Sequence, residues 1–316
     1  PTPFTFRNRG HKIDSMLTAF FTVLAIMLIP GQAFAWGPGF HLQLGTTVLG
    51  SLQQLPAAVA AVIGSHPNDF LYGCIAADIT LGKKYTHYLL HCHRWQIGLK
   101  LLQEADSDAR KACAWGYLSH LAADTVSHGY YVPLNIMRSF PTLILKHAYW
   151  EVRFDSFVDP AMWELGRRVA MDHFEENDTL LRRVIANTLF SFGTNKKIFN
   201  SILLVGRLEK WQQLIQTMHE VSRFQLEEEE QQELVDMSGE AVFSILHDCH
   251  GSPWLKADPT GERALQAAET VRRNLRILYQ SGKLGKADAQ GELETLRIKL
   301  RGAIRQPEQI KQILSE

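Results

Sequence analysis

The sequence predicts an all-α protein, on three observations. Beyond about residue 36, apolar residues recur mostly at three- and four-residue spacing, the period of a helix face. No alternating apolar and polar run bounded by hairpin turns reads as a strand. The residues able to carry chemistry also stand four apart, which stacks side chains along one side of a helix.

Taken in order, the chain opens with Arg7, Arg9 and Lys12 before an apolar run from Met16 to Pro30 and the small-residue site Ala33-Phe34-Ala35. That order of charge, apolar stretch and cleavage site is the pattern of a secretory signal peptide. The apolar stretch is short for a membrane span. Residues 1–35 are therefore expected to be removed, leaving Trp36 as the mature first residue and an exported protein, periplasmic or extracellular. An uncleaved anchor helix is the alternative.

A first helix is expected from about His41 to a break near Pro56, resuming through Ala57 to Ile63, and Asn68 to Ile79 reads as another. Gly82-Lys83-Lys84 forms a turn. Helices follow over about Tyr88 to Glu104 and, with Ser107 or Asp108 as N-cap, through Trp115 to about Tyr130. Pro133 and Pro141 bracket a connection, and Leu143 to Phe157 forms a further helix that ends before Asp159-Pro160. Residues 161–316 stay helical as a C-terminal extension without an assigned role. There the acidic run Glu227 to Glu230 reads as a solvated helix face, and Cys249 to Gly261, with Gly251, Pro253 and Pro259, reads as a linker.

Composition excludes several chemistries. Lys plus Arg and Asp plus Glu both total 33, so overall charge gives no nucleic-acid footprint. Cys74, Cys92, Cys113 and Cys249 form no CxxC pair, which argues against a thiolate zinc knuckle or a thioredoxin-like site; export would permit a disulfide without choosing a pairing.

Histidine is the informative residue type, because eight of the 13 lie between His41 and His147. His120, Asp124 and His128 line one stripe of a helix that Leu121, Ala122, Ala123 and Val126 mark as buried, and His147 and Glu151 repeat the i, i+4 pairing. Burying such groups is costly unless they are paired or bound to metal, and imidazole with carboxylate is a divalent-metal ligand set. These side chains suit manganese or iron as well as zinc.

The run Ser119 to His128, His147-x-x-x-Glu151, the acid of Gly73-Cys74-Ile75-Ala76-Ala77-Asp78, and Trp36 directly after the small-residue site together resemble the zinc-dependent phospholipase C family, relatives of the S1/P1 nucleases. The resemblance covers about Trp36 to Asp159. It implies a multi-helix phospholipase C/P1 nuclease-like bundle over residues 36–160 and three zinc ions. On that resemblance Trp36, through its amino nitrogen and carbonyl oxygen, would hold one ion with His41 and Asp124. Asp124 would bridge to a second, also bound by His120, Asp78 and a histidine of the Thr86 to His93 segment. His87 fits the family's Thr-His-aromatic pattern best, with His91 and His93 as rivals. His128, His147 and Glu151 would hold the third ion. Asp78 would also orient or deprotonate the attacking water.

The activity so implied is phosphodiester hydrolysis in phospholipids by metal-activated water, with contact to a membrane surface and no stable nucleic-acid complex. A single-strand nuclease of the S1/P1 type is the rival reading, favoured by the short Trp36 to His41 spacing. A non-catalytic exported metal-binding protein is a third. Trp95, Trp115, Tyr130, Tyr131 and Trp150 are available to line a lipid cleft, or to fill an ordinary core.

Overall fold

A computed structural model describes residues 36–79, 92–142, 147–185, 191–206, 226–310 and 313, and among them every regular element is helical. Helix α1 (Pro38–Leu49) opens with proline in its first turn, where no amide hydrogen is needed. Its own N-cap, Gly37, offers no side chain. The carboxylate of Asp155 fills that role from across the fold, accepting hydrogen bonds from the Gly39 and Phe40 amides at 3.2 Å each. Helices α2 (Ala57–Ser65) and α3 (Pro67–Ala76) follow, and α3 tightens into a 3-10 turn, Ala77–Ile79, that carries Asp78.

Helix α4 is Trp95–Glu104, shorter than the expected Tyr88 to Glu104. Residues 88–91 lie outside the described residues, and 92–94 form a turn. There the Cys92 carbonyl accepts from the Tyr117 hydroxyl at 2.6 Å instead of from a helical amide, and His93 folds inward. The central helix is α5 (Asp108–Val126), capped by the Ser107 hydroxyl, which accepts from the Arg110 amide at 3.3 Å. It continues as a π-helical turn, Ser127–Tyr131, and then as α6 (Val132–Arg138). The connection expected from Pro133 is thus helical: Pro133 sits in the first turn of α6, where its missing amide hydrogen does not break a ladder.

The rest comprises α7 (His147–Asp155), α8 (Pro160–Met171), α9 (Glu175–Val184), α10 (Phe192–Gly206), α11 (Glu228–His247), α12 (Glu262–Gln280) and α13 (Lys286–Ala303). The acidic run forms the first turn of α11, where the helix dipole favours negative charge; Glu228 and Glu229 are exposed, and Glu230 pairs with Arg138 at 2.6 Å.

Helix α5 is buried along nearly all of its length, between α3 on one side and α11 on another, while α12 packs on α6. The contact of α3 with α5 is made by glycines. A Cβ at Gly73 would collide with the Cys113 carbonyl oxygen, and one at Gly116 with the Phe70 carbonyl oxygen, so the two backbones touch directly. One continuous buried cluster runs from Trp36 to Ile313, so the C-terminal helices share the core of the helices that carry the histidines. The segment Cys249 to Gly261 is a packed loop instead of a linker: Cys249, Trp254 and Ala257 are buried, and the Trp95 indole donates to the Ala257 carbonyl at 2.8 Å. All four cysteines are buried, and no disulfide joins them among the described residues. No helix among the described residues is long and apolar enough to cross a membrane.

Candidate metal centre

Four segments bring their polar groups to one buried point. His41 comes from α1, Asp78 from the 3-10 turn after α3, His93 from the turn before α4, and His120 and Asp124 from adjacent turns of α5; none is more than 2% exposed. Asp124 stands between them. Its Oδ1 lies 3.3 Å from His41 Nε2, and its Oδ2 lies 3.2 Å from His93 Nε2 and 3.1 Å from His120 Nε2. Asp78 Oδ1 lies 3.2 Å from His93 Nε2 and 3.9 Å from His120 Nε2, and the two histidine nitrogens are 3.1 Å apart. Two groups of three result, His41-His120-Asp124 and Asp78-His93-His120.

These separations fit a shared cation. Ligand atoms bound at about 2.0–2.1 Å to one tetrahedral zinc ion stand roughly 3.3 Å from each other. His41 Nε2 and both oxygens of Asp124 lie at those distances from their neighbours without forming a hydrogen bond, although all are fully buried. Leaving such groups uncompensated costs several kcal/mol apiece. The donor set of imidazole nitrogens and carboxylate oxygens therefore fits zinc.

Hydrogen bonds on the outer side orient the rings. His120 Nδ1 lies 2.9 Å from the Cys74 carbonyl oxygen, and His93 Nδ1 lies 3.2 Å from Cys92 Sγ. A carbonyl only accepts, so His120 carries its proton on Nδ1 and turns a lone pair on Nε2 toward the cluster. Without metal, the neighbouring carboxylates favour the imidazolium form of His120, which a bound cation would replace. For His120, burial opposes the cation but Asp124 and Asp78 outweigh it and raise its pKa; for His41, burial and the neighbouring His120 lower it. Burial would raise the Asp124 carboxyl, yet His120 and His41 hold it far below the usual carboxylate range.

A second group lies beyond the end of α5. His128 falls in the π-turn, its Nε2 is 3.9 Å from Glu151 Oε1, and its Nδ1 is 2.5 Å from the Pro259 carbonyl oxygen. His147 opens α7 one turn before Glu151; its side chain lies outside the described residues. Trp36 is fully buried beside the first group, with its indole N–H donating to the Ala123 carbonyl at 2.9 Å and its ring packed against Phe40, Tyr131 and Phe154.

Of the residues singled out in the sequence, the structure thus gathers His41, Asp78, His120 and Asp124 at one point, with Trp36 alongside, and sets His128 with Glu151. His87 and His91 lie outside the described residues, and the histidine of that segment found in the cluster is His93. His66 pairs loosely with Asp69 at 3.7 Å, and His173, His247 and His250 are exposed. Tyr130, Tyr131 and Trp150 are core residues. Two participants were not singled out. Asp155, one helical turn past Glu151, clamps the start of α1 and so the backbone that carries Trp36 and His41; its i+4 spacing from Glu151 was the available signal. Pro259 offers a backbone carbonyl, for which a sequence has no signal.

No curated protein and no solved structure matches this chain. Residues 40–192 match a family model described as zinc dependent phospholipase C.

Proposed function

We propose, on the premise that residues 40–192 make this chain a member of the zinc-dependent phospholipase C family, that its buried histidine and carboxylate cluster hydrolyses phosphodiester bonds of phospholipids. The observation that carries this reading is the convergence of His41, His93, His120, Asp78 and Asp124 on one point with ligand-like spacing.

Asp124, His41 and the amino nitrogen and carbonyl of Trp36 would hold one zinc ion; Asp78, His93 and His120, with Asp124 shared, a second; and His128, Glu151 and His147 a third. Zinc so held supplies Lewis acidity toward a phosphoryl oxygen and makes water acidic enough to attack near neutral pH. The chain's own groups do the remainder. Asp78 would orient the attacking water or take its proton. Asp124 spans the two ligand groups and fixes their separation. The Nδ1 hydrogen bond of His120 keeps its tautomer constant through the cycle. The apolar wall of Trp36, Phe40, Tyr131 and Phe154 keeps bulk water from the Trp36 side of the cluster.

The use of Trp36 as a ligand requires a free α-amino group, hence removal of residues 1–35 and export before the enzyme is complete. Residues 36–160 are the catalytic region in this reading, with residues 161–316 packed behind it. A phospholipid fits better than a single-stranded nucleic acid. The charge balance is neutral, so overall charge supplies no basic groove for a nucleic-acid backbone.

The test is release of phosphocholine from phosphatidylcholine, beside cleavage of single-stranded DNA, by zinc-loaded protein beginning at Trp36, with Asp124→Asn as control. Phosphocholine release that vanishes in the control is expected. Cleavage of DNA alone would transfer the chain to the nuclease branch, and inactivity on both with zinc bound would favour a binding protein.

A further inference from the structure

We infer that the loop from Ala257 to Gly261, in the C-terminal half of the chain and outside the residues that match the family, is the positioning element of the His128 metal site. This rests on the reading of His128 as a zinc ligand.

Three observations converge on the loop. The Pro259 carbonyl oxygen lies 2.5 Å from His128 Nδ1, and both residues are buried. Because a carbonyl can only accept, the contact fixes the proton on Nδ1 and leaves the Nε2 lone pair on the side of Glu151. An imidazole free in water is not held to one tautomer or one ring orientation, and a partner on the distal nitrogen supplies both.

The loop is also built to keep that carbonyl in place. Asp258 Oδ1 accepts from the Thr260 amide at 3.0 Å and from its hydroxyl at 2.7 Å, and the Gly261 amide donates to the Asp258 carbonyl at 3.0 Å. These bonds close a turn around Pro259. At its start, the Trp95 indole holds the Ala257 carbonyl at 2.8 Å, which ties the loop to the first residue of α4, two positions after His93.

The end of the loop is fitted to His128 itself. Gly261 has φ +56°, and a Cβ there would run into the Cβ and backbone carbonyl of His128. Glycine is thus required twice, by the left-handed backbone and by the approach to the histidine. The π-turn that contains His128 and the loop that orients it are therefore in direct contact, although 131 residues separate His128 from Pro259. The extension completes the metal centre.

The experiment compares zinc affinity, by competition with a chelator, in the full chain and in Gly261→Ala, Asp258→Ala and His128→Ala, and reads the His128 tautomer in metal-free protein by nitrogen-edited NMR. Loss of such an outer-side partner typically weakens a metal site by about 10- to 100-fold. The expected result is a weakening of that size at one zinc equivalent in Gly261→Ala and Asp258→Ala, with the other equivalents unchanged. In the wild type the His128 proton is expected on Nδ1, and in the loop variants it shifts toward Nε2. Unchanged affinity and tautomer in folded loop variants, with an equivalent still lost in His128→Ala, would overturn the loop's role and leave the zinc reading standing. Retention of every equivalent in His128→Ala would overturn the reading beneath it. Should Gly261→Ala fail to fold, a wild-type His128 carrying its proton on Nε2 would still refute the inference, as would an unaltered site in Asp258→Ala.

Discussion

His93 and His120 present their Nε2 atoms to each other at 3.1 Å and to the same oxygen of Asp124 at 3.2 and 3.1 Å. Without metal, Asp124 and Asp78 favour the imidazolium form of His120 at this oxygen, while His41 Nε2 and the Asp124 oxygens form no hydrogen bond; a bound cation would compensate all of these buried groups. Bound metal should therefore stabilise the fold.

Chelation should therefore lower thermal stability reversibly. A ligand present at about 1,000 times its Kd stabilises by ~4 kcal/mol, which for a protein of this size corresponds to on the order of 10 °C in Tm. Calorimetry of stripped and zinc-loaded protein measures the difference. Equal Tm values would mean that the cluster takes no metal.

Replacing Asp124 by Asn should release zinc from both the His41 and the His93 groups, because its two oxygens serve them separately. Removing one well-placed electrostatic group from an active site costs about 100- to 1,000-fold in kcat, and hydrolysis should fall at least that far. Metal analysis and a kinetic assay of the same preparation check the two effects together. His128→Ala, by contrast, should leave the zinc of the His41 and His93 groups in place.

The helix crossing at Gly73 and Gly116 admits no side chain. Gly73→Ala or Gly116→Ala must push α3 from α5, and overpacking of this kind costs about 1–3 kcal/mol or more. Urea denaturation measures that loss. Because α3 leads into Asp78 and α5 carries His120 and Asp124, the same variants should bind zinc more weakly.

Asp155 predicts a pH dependence of stability. Burial pushes its carboxyl up to about 7, against the pull of the Gly39 and Phe40 amides. A carboxyl whose pKa is higher folded than unfolded stabilises the fold below about pH 4 and loses that contribution as pH rises toward 7. The difference corresponds to on the order of 4 kcal/mol. Metal-free wild type should thus lose stability relative to Asp155→Asn between pH 4 and 7.5, as read from urea midpoints. Parallel curves for the two proteins would remove Asp155 as the titrating group.

Much of this centre was legible in the sequence, and the reasons differ by residue. His120 and Asp124 were readable because four-residue spacing on an apolar helix leaves few alternatives to a buried pair. His128 continues that spacing on paper. In the structure His128 falls in the π-turn at Ser127–Tyr131 and meets Glu151 and the Pro259 carbonyl. The inward turn of His93 depends on the Tyr117 hydroxyl taking the Cys92 carbonyl, a contact across 25 residues that no local pattern encodes. The all-helical class followed from periodicity. The packing of α11 and α12 onto the site helices did not, since amphipathic faces do not name their partners.

The most direct measurement is anomalous diffraction at the zinc absorption edge from crystals of zinc-loaded protein that begins at Trp36. Peaks are expected about 2.0–2.1 Å from the ligand atoms of His41 and Asp124 and from those of Asp78, His93 and His120. Zinc found only at exposed histidines such as His173, His247 and His250, with the His93, His120 and Asp124 cluster closed on itself, would contradict that expectation.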